Sequence, residues 1–280
     1  MQVVVGKHLI FCQPVGRGRP LLVVHGGPGL DHTYLRPWLD PLSVETRVVY
    51  SDLLGCGKSD RVPLTGGMEL WAEGIEQLRA SLGIDRMILL GHSFGGYVAQ
   101  EYALRHPDRL DGLVLCSTAP AFDYVEEAMA NVVARGTKEQ LTALQSWWGA
   151  PPSDKARDDQ AFRRMWTTVL PLYFAHYRAQ IGAAMDARTS YSAAAFAFGM
   201  TKCLPTWSVA DRLGKVRTPT LVMSGRHDWM NPVAHAGDRL AAGIPGAKHV
   251  VLEESGHFPF IEEQHAFLGA VRAWLAGLPH

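Results

Sequence analysis

Gly91-His92-Ser93-Phe94-Gly95 is the stretch that decides the fold, because of what stands on either side of it. The apolar residues 87–90 before it predict a buried strand, and residues 94–105 after it have a helical pattern that Pro107 stops. Strand, Gly-x-Ser-x-Gly and helix in this order place the serine on a sharp, strained turn, where flanking side chains would collide with neighbouring backbone. We therefore predict that Ser93 is a nucleophile; the alternative is a chance Gly-Ser turn.

Short runs rich in leucine and β-branched residues recur along the chain, each followed by a loop with glycine and then by a helical stretch. These runs are residues 21–24, 47–50, 87–90, 113–116, 220–224 and 249–252. The helix candidates are residues 66–82, 94–105 and 260–276, and a β-hairpin is predicted over residues 2–5 and 8–13. Alternation of this kind is typical of parallel strands buried on both faces. We predict an α/β fold with a mostly parallel eight-stranded sheet and helices on both faces.

The segment after Pro120 breaks this alternation. It is rich in Ala, Trp, Tyr and Arg, it has helical periodicity, and it contains no convincing strand. We interpret residues 121–205 as a helical cap inserted into a core made of residues 1–120 and 206–280.

Composition restricts the partners and the compartment. Lys plus Arg equals Asp plus Glu, at 27 each, so no basic surface for nucleic acid is expected. No apolar run approaches the ~20 residues that span a bilayer, and no signal peptide is visible, so we expect no membrane partner and a cytoplasmic location. The cysteines are far apart without a C-x-x-C pair, which argues for reduced, buried thiols rather than a zinc site or disulfides. They are Cys12, Cys56, Cys116 and Cys203.

A serine hydroxyl needs a base, and the base needs a carboxylate that orients it. Two loops that follow predicted strands supply such residues: Glu254-Ser255-Gly256-His257 after the last strand, and Ser224-Gly225-Arg226-His227-Asp228 after residues 220–223. The loop after residues 113–116 offers no acid before Asp123. We predict His257 as the base and Asp228 as the acid, with a turn or helix cap as the structural alternative for Asp228.

The backbone donors that stabilise an oxyanion come next. His25-Gly26-Gly27-Pro28-Gly29 follows the strand at residues 21–24 directly, and we predict donors at the N–H groups of Gly27 and Phe94. The alternative is a tight Gly-Pro turn that directs no donor at the site. Gly55-Cys56-Gly57-Lys58-Ser59 is similar to the end of a phosphate loop, but the first glycine of such a loop would fall on Asp52. We interpret it as a structural turn and expect no cofactor and no metal.

With these residues in place, the chain resembles the α/β-hydrolase superfamily over nearly its whole length. Within it, His25-Gly26-Gly27-Pro28-Gly29 with Asp52-x-x-Gly55-Cys56-Gly57-Lys58-Ser59 resembles the prolyl aminopeptidase (proline iminopeptidase) group. This resemblance implies release of an N-terminal proline by a Ser-Asp-His triad, and cap acids that bind the free amine. The available cap acids are Glu126, Glu127, Glu139 and Asp186. Trp147, Trp148 and Tyr177 are the candidate substrate-binding residues, with Trp166 as a further aromatic of the cap.

Three functions stay open from the sequence. The first, which we predict, is an aminopeptidase that releases N-terminal proline or another small residue from a small molecule or short peptide through a covalent acyl-enzyme and requires a free amine. The second is a carboxylesterase or lactonase, because a histidine before the nucleophile, here His92, resembles esterases, lactonases and carbon-carbon bond hydrolases. The third is a non-catalytic receptor that uses the cap only to bind.

Overall fold

Eight strands pair into one sheet among residues 1–148 and 158–279, which the computed structural model of the chain describes. The strands are β1 Gln2–Val5, β2 His8–Val15, β3 Arg19–Val24, β4 Thr46–Ser51, β5 Met87–His92, β6 Leu110–Cys116, β7 Thr220–Gly225 and β8 Lys248–Leu252. Their order is β1-β2-β4-β3-β5-β6-β7-β8, with β2 antiparallel to β1 and β4 and the rest parallel. The predicted α/β sheet is therefore confirmed.

Strand β2 is longer than its sequence pattern predicts, because two different neighbours pair with its two halves. Residues 8–11 pair with β1, and residues 12–15 pair with β4. Each half of β2 thus pairs with β1 or β4 on one side only. Pro14, which lacks an N–H, lies opposite Val49 in the half that has no β1 neighbour, and it is tolerated there. The sequence pattern stops at residue 13 because it treats proline as the end of a strand.

Helices flank the sheet and form the segment between β6 and β7. They are α1 Glu69–Ser81, α2 Phe94–Arg105, α3 Val125–Arg135, α4 Lys138–Trp148, α5 Asp159–Val169, α6 Ala179–Asp186, α7 Ala193–Phe198, α8 Gly237–Gly243, α9 Pro259–Glu262 and α10 Gln264–Ala276. The prediction of one helix over residues 260–276 is corrected to two, because the backbone leaves the helical conformation at Glu263 (φ −122, ψ 50). The Glu263 carboxylate instead accepts a 2.6 Å hydrogen bond from Ser255 Oγ in the loop after β8. None of the described helices is long and apolar enough to cross a membrane.

The centre of the sheet is the driest part of the molecule. The residues of β3 from Leu21 to Val24 are completely buried, and α2 packs on β5 and β6. Burial of each such aliphatic side chain stabilises the fold by about 1.5–3 kcal/mol. All four cysteines are buried and free, as predicted. Because β3 and β5 to β8 run parallel, the loops after them all emerge at one edge of the sheet.

Helices and short helical turns make up the described residues between β6 and β7. The chain leaves and re-enters the sheet region at adjacent points, because Ala121 forms a bridge with Ser208 and the Val209 N–H donates to Pro120 O at 2.9 Å. This segment lies against the loop after β3, where the Ser192 N–H donates to Gly29 O at 2.8 Å. The helical segment therefore contacts the edge of the sheet at which the parallel strands end.

Candidate active site

Ser93 occupies a strained turn between β5 and α2. Its φ is 54° and its ψ is −120°, a conformation that costs a side chain about 1–3 kcal/mol and that surrounding structure must enforce. Neighbouring backbone enforces it here: a Cβ on Gly91 would lie 2.3 Å from Gly95 O, and one on Gly95 would lie 2.3 Å from Val24 O. Helix, strand and turn meet so closely that only glycine fits two residues before and two residues after the serine.

His257 and Asp228 form a buried pair in the loops after β8 and β7. His257 Nδ1 lies 2.8 Å from Asp228 Oδ2, and the other carboxylate oxygen accepts the N–H groups of Met230 at 3.0 Å and Asn231 at 3.1 Å. A carboxylate accepts hydrogen bonds only, so Nδ1 carries the proton and Nε2 is the acceptor. The His257 N–H also donates to Tyr173 O at 2.7 Å, which ties the loop after β8 to the helical segment.

Ser93 and His257 line the same cavity, and so do Gly27 and Phe94. The N–H groups of Gly27 and Phe94 have no hydrogen-bond partner among the described residues. Gly27 has a φ of +126°, which an L side chain rarely adopts, and Phe94 begins α2, so its N–H belongs to the positive end of the helix dipole. Two unpaired donors beside a serine can stabilise a negative oxygen that develops there.

The cavity beside Ser93 is mostly apolar. The helical segment contributes Phe122, Leu144, Phe162, Met165, Trp166, Val169, Tyr173, Phe196, Met200 and Leu204 to its wall. Burial raises the pKa of Tyr97 and Tyr173 above the usual range, so the phenols on its wall stay neutral. No Asp, Glu, Lys or Arg is among the residues that the structure places on this wall.

Of the cap aromatics considered above, Trp166 lines the cavity, whereas the predicted substrate-binding residues Trp147 and Tyr177 do not. Trp147 lies behind the wall, with its ring 5.5 Å from Phe162 and 5.6 Å from Phe196. Tyr177 lies outside the cavity, more than a third exposed, with its ring 5.5 Å from Phe174. The side chain of Trp148 lies outside the described residues.

Of the α5 residues that line the wall, Trp166 was considered from the sequence and the others were missed. Phe162, Met165, Trp166 and Val169 follow one another at helical spacing and share one face of α5. This apolar face is the signal that could have identified them.

The candidate cap acids have other surroundings. Asp186 accepts hydrogen bonds from Arg163 at 2.6 and 2.8 Å and from the Tyr191 hydroxyl at 2.8 Å. Glu127 lies 2.9 Å from His235, and Glu126 and Glu139 are exposed. None of the four lines the cavity beside Ser93.

Comparison with known proteins gives consistent results. The family model described as alpha/beta hydrolase fold matches residues 19–264. A proline iminopeptidase of Saccharolobus solfataricus is 26% identical over 93% of this chain and 86% of its own length. The crystal structure of proline iminopeptidase from Mycobacterium smegmatis has a TM-score of 0.77 and 24% identity, covering 99% of this chain and 97% of that one. Est816, described as an N-acyl homoserine lactone degrading enzyme, has a TM-score of 0.76 and 23% identity, covering 98% and 99%.

Likeness to solved structures at these identities establishes the fold alone, and the family match covers most of the chain. By fold, by family match and by its resemblance to prolyl aminopeptidases, this chain is a hydrolase and belongs to the alpha/beta hydrolase fold family.

Proposed function

We propose that this enzyme hydrolyses carboxylic esters or lactones with an apolar acyl group, through a covalent acyl-enzyme at Ser93. The observation that carries the proposal is the lack of any acidic side chain among the described residues of the cavity wall. An aminopeptidase must take an ammonium group out of water, which costs several kcal/mol unless a carboxylate compensates. An uncharged ester needs only apolar surface and the oxyanion donors.

In this proposal residues 121–205 are the cap over a core of residues 1–120 and 206–280. Ser93 Oγ attacks the carbonyl carbon while His257 Nε2 takes the hydroxyl proton, and the negative oxygen accepts from the Gly27 and Phe94 N–H groups. Asp228 stabilises the imidazolium. The intermediate then collapses, the C–O bond to the alcohol breaks, and His257 returns the proton to the leaving oxygen. Water, deprotonated by His257, releases the acid by the same route.

The second candidate is an aminopeptidase that removes N-terminal proline. It is favoured by the stretch His25-Gly26-Gly27-Pro28-Gly29 and by the name of the curated relatives. A proline ring would suit the apolar wall, and its amine would then need a polar group other than the cap acids considered above.

Hydrolysis of p-nitrophenyl butyrate beside proline p-nitroanilide separates the two. We expect turnover of the ester and a far smaller kcat/KM for the anilide. Preferred cleavage of the anilide, abolished by acetylation of its amine, would replace the esterase with the aminopeptidase.

Two serine variants test the nucleophile. Ser93→Ala should lose both activities. Ser117→Ala is the matched control, because Ser117 also follows a parallel strand with a positive φ of 48°. It should retain activity, and activity retained by Ser93→Ala would contradict the acyl-enzyme.

A further inference from the structure

Tyr34 and His92 form a buried chain of hydrogen bonds that the mechanism above does not use. The Gly26 N–H donates to Tyr34 Oη at 2.6 Å, Tyr34 Oη lies 2.7 Å from His92 Nδ1, and His92 Nε2 lies 2.9 Å from His257 O. Both side chains are at least 98% buried. Bulk water therefore does not compete for these hydrogen bonds.

The two ends of this chain fix the position of every proton in it. A backbone carbonyl only accepts, so His92 Nε2 carries the proton that is donated to His257 O. Burial lowers the pKa of His92 well below its usual value, which keeps the ring neutral and makes Nδ1 an acceptor. The Tyr34 hydroxyl must then donate to Nδ1, and its oxygen accepts the Gly26 N–H. Each donor has one acceptor, so the network has a single arrangement.

This chain of hydrogen bonds connects the three loops of the site. Gly26 precedes the oxyanion residue Gly27, His92 precedes Ser93, and the last acceptor is the backbone of the base itself. The packing is close along its length: the rings of His92 and His257 are 4.9 Å apart, and a Cβ on Gly26 would lie 3.0 Å from Tyr34 Oη. A shift of one loop would therefore change the hydrogen bond that links it to another loop.

We propose that Tyr34 and His92 are positioning residues that hold the oxyanion loop and the base loop at a fixed distance from Ser93. The proposal rests on the proposed function, since it assigns these residues to the same acyl transfer. Because the Gly26 N–H is held by Tyr34, the neighbouring Gly27 N–H is left to point at the substrate oxygen. Because the His257 carbonyl is held by His92, the imidazole keeps its place beside the nucleophile.

Tyr34→Phe tests the proposal because it removes one hydroxyl and keeps the ring. We expect kcat for p-nitrophenyl butyrate to fall by about 10- to 100-fold with little change in KM, since small misplacements of reacting groups have effects of this size. Affinity for an alkyl boronic acid, whose adduct with Ser93 mimics the tetrahedral intermediate, should fall by the same factor. Affinity for butyrate, a product, should not change.

Tyr102→Phe is the matched control. It also removes the hydroxyl of a buried tyrosine, which donates to Glu76 at 2.7 Å away from the site. A purely structural role for Tyr34 predicts that both variants lose thermal stability and neither loses kcat, and that result would overturn the proposal.

His92→Leu, measured in the same way, keeps the test decisive if Tyr34→Phe folds poorly, and an unchanged kcat in this variant would overturn the proposal. Where both fold, His92→Leu and the Tyr34→Phe/His92→Leu double variant should have similar kcat values, because the first break already releases both loops. If kcat of the double variant instead fell by the product of the two single-variant factors, the two residues would act independently. That result would refute a single connected hydrogen-bond network. Activity in Ser93→Ala would instead refute the proposed function, which separates the two failures.

Discussion

Replacement of Asp228 by asparagine is the sharpest test of the proposed triad, because it removes the carboxylate charge and moves one proton on His257 while keeping the shape of the side chain. The N–H groups of Met230 and Asn231 donate to one oxygen of Asp228. An asparagine must therefore keep its carbonyl on that side and present its NH₂ to His257 Nδ1. That nitrogen becomes an acceptor, and the ring proton moves to Nε2, the atom that has to take the proton of Ser93.

The expected loss follows from this tautomer. In serine hydrolases with this arrangement the same substitution lowers kcat by about 10⁴-fold, which is about 5.5 kcal/mol of transition-state stabilisation. The hydrogen bonds to the backbone persist, so KM and the melting temperature should change little. Initial rates with p-nitrophenyl butyrate, with thermal unfolding of the same preparation, measure both.

A second buried His-Asp pair supplies the control. His32 Nδ1 lies 2.6 Å from Asp52 Oδ1, and both side chains are buried. Asp52→Asn should lower the free energy of unfolding by about 3 kcal/mol and leave kcat within about threefold. If Asp228→Asn lost less than about tenfold in kcat, or if Asp52→Asn lost as much, Asp228 would not be the acid of a triad.

Three further predictions follow from individual contacts. Gly26→Ala should lower kcat by more than about 100-fold, because its Cβ would lie 2.8 Å from the Cβ of Ser93; full ester hydrolysis by a folded variant would contradict that approach. Burial lowers the pKa of His92 well below its usual 6.5, so only the unfolded chain takes up its proton, and stability falls as the pH drops below that value. In urea unfolding, His92→Gln should lose less free energy of unfolding on acidification than the parent protein. Equal losses would argue against a neutral ring. Met165→Ala should raise the hexanoate-to-butyrate ratio of kcat/KM by about tenfold, since the two additional methylenes of hexanoate gain buried surface; an unchanged ratio would place the acyl chain elsewhere.

Much of the site could be predicted because parallel strands end at a common edge. Ser93, Asp228 and His257 each follow an apolar run within a few residues, so the fold itself brings their loops together. Helix limits were less accurate where one residue changes the backbone: α1 begins at Glu69 rather than at residue 66, because Gly66 has a φ of +96°.

The cavity wall could not be predicted with the same success, because aromatic residues at helical spacing serve a core and a pocket equally well. Tyr177 illustrates this: its ring packs on Phe174 and its hydroxyl approaches Gly182, outside the cavity. Tyr34 is the harder case. It lies in a short helical turn, His32–Leu35, and its partner is 58 residues away along the chain, so no local pattern marks it.

The hydrogen bond from the His257 N–H to Tyr173 O affects how this enzyme can be re-engineered. Exchange of residues 121–205, the proposed cap, between relatives is one way to transfer the proposed selectivity. Here the transplanted segment would also carry an acceptor for the backbone of His257, the proposed base. Glu262 adds a second tie by accepting the N–H groups of both His176 and Gly256. A graft that reproduces the apolar wall but moves the carbonyl of residue 173 would bind the new acyl group and turn it over slowly. Chimeras should therefore be cut so that residues 170–176 stay with the host.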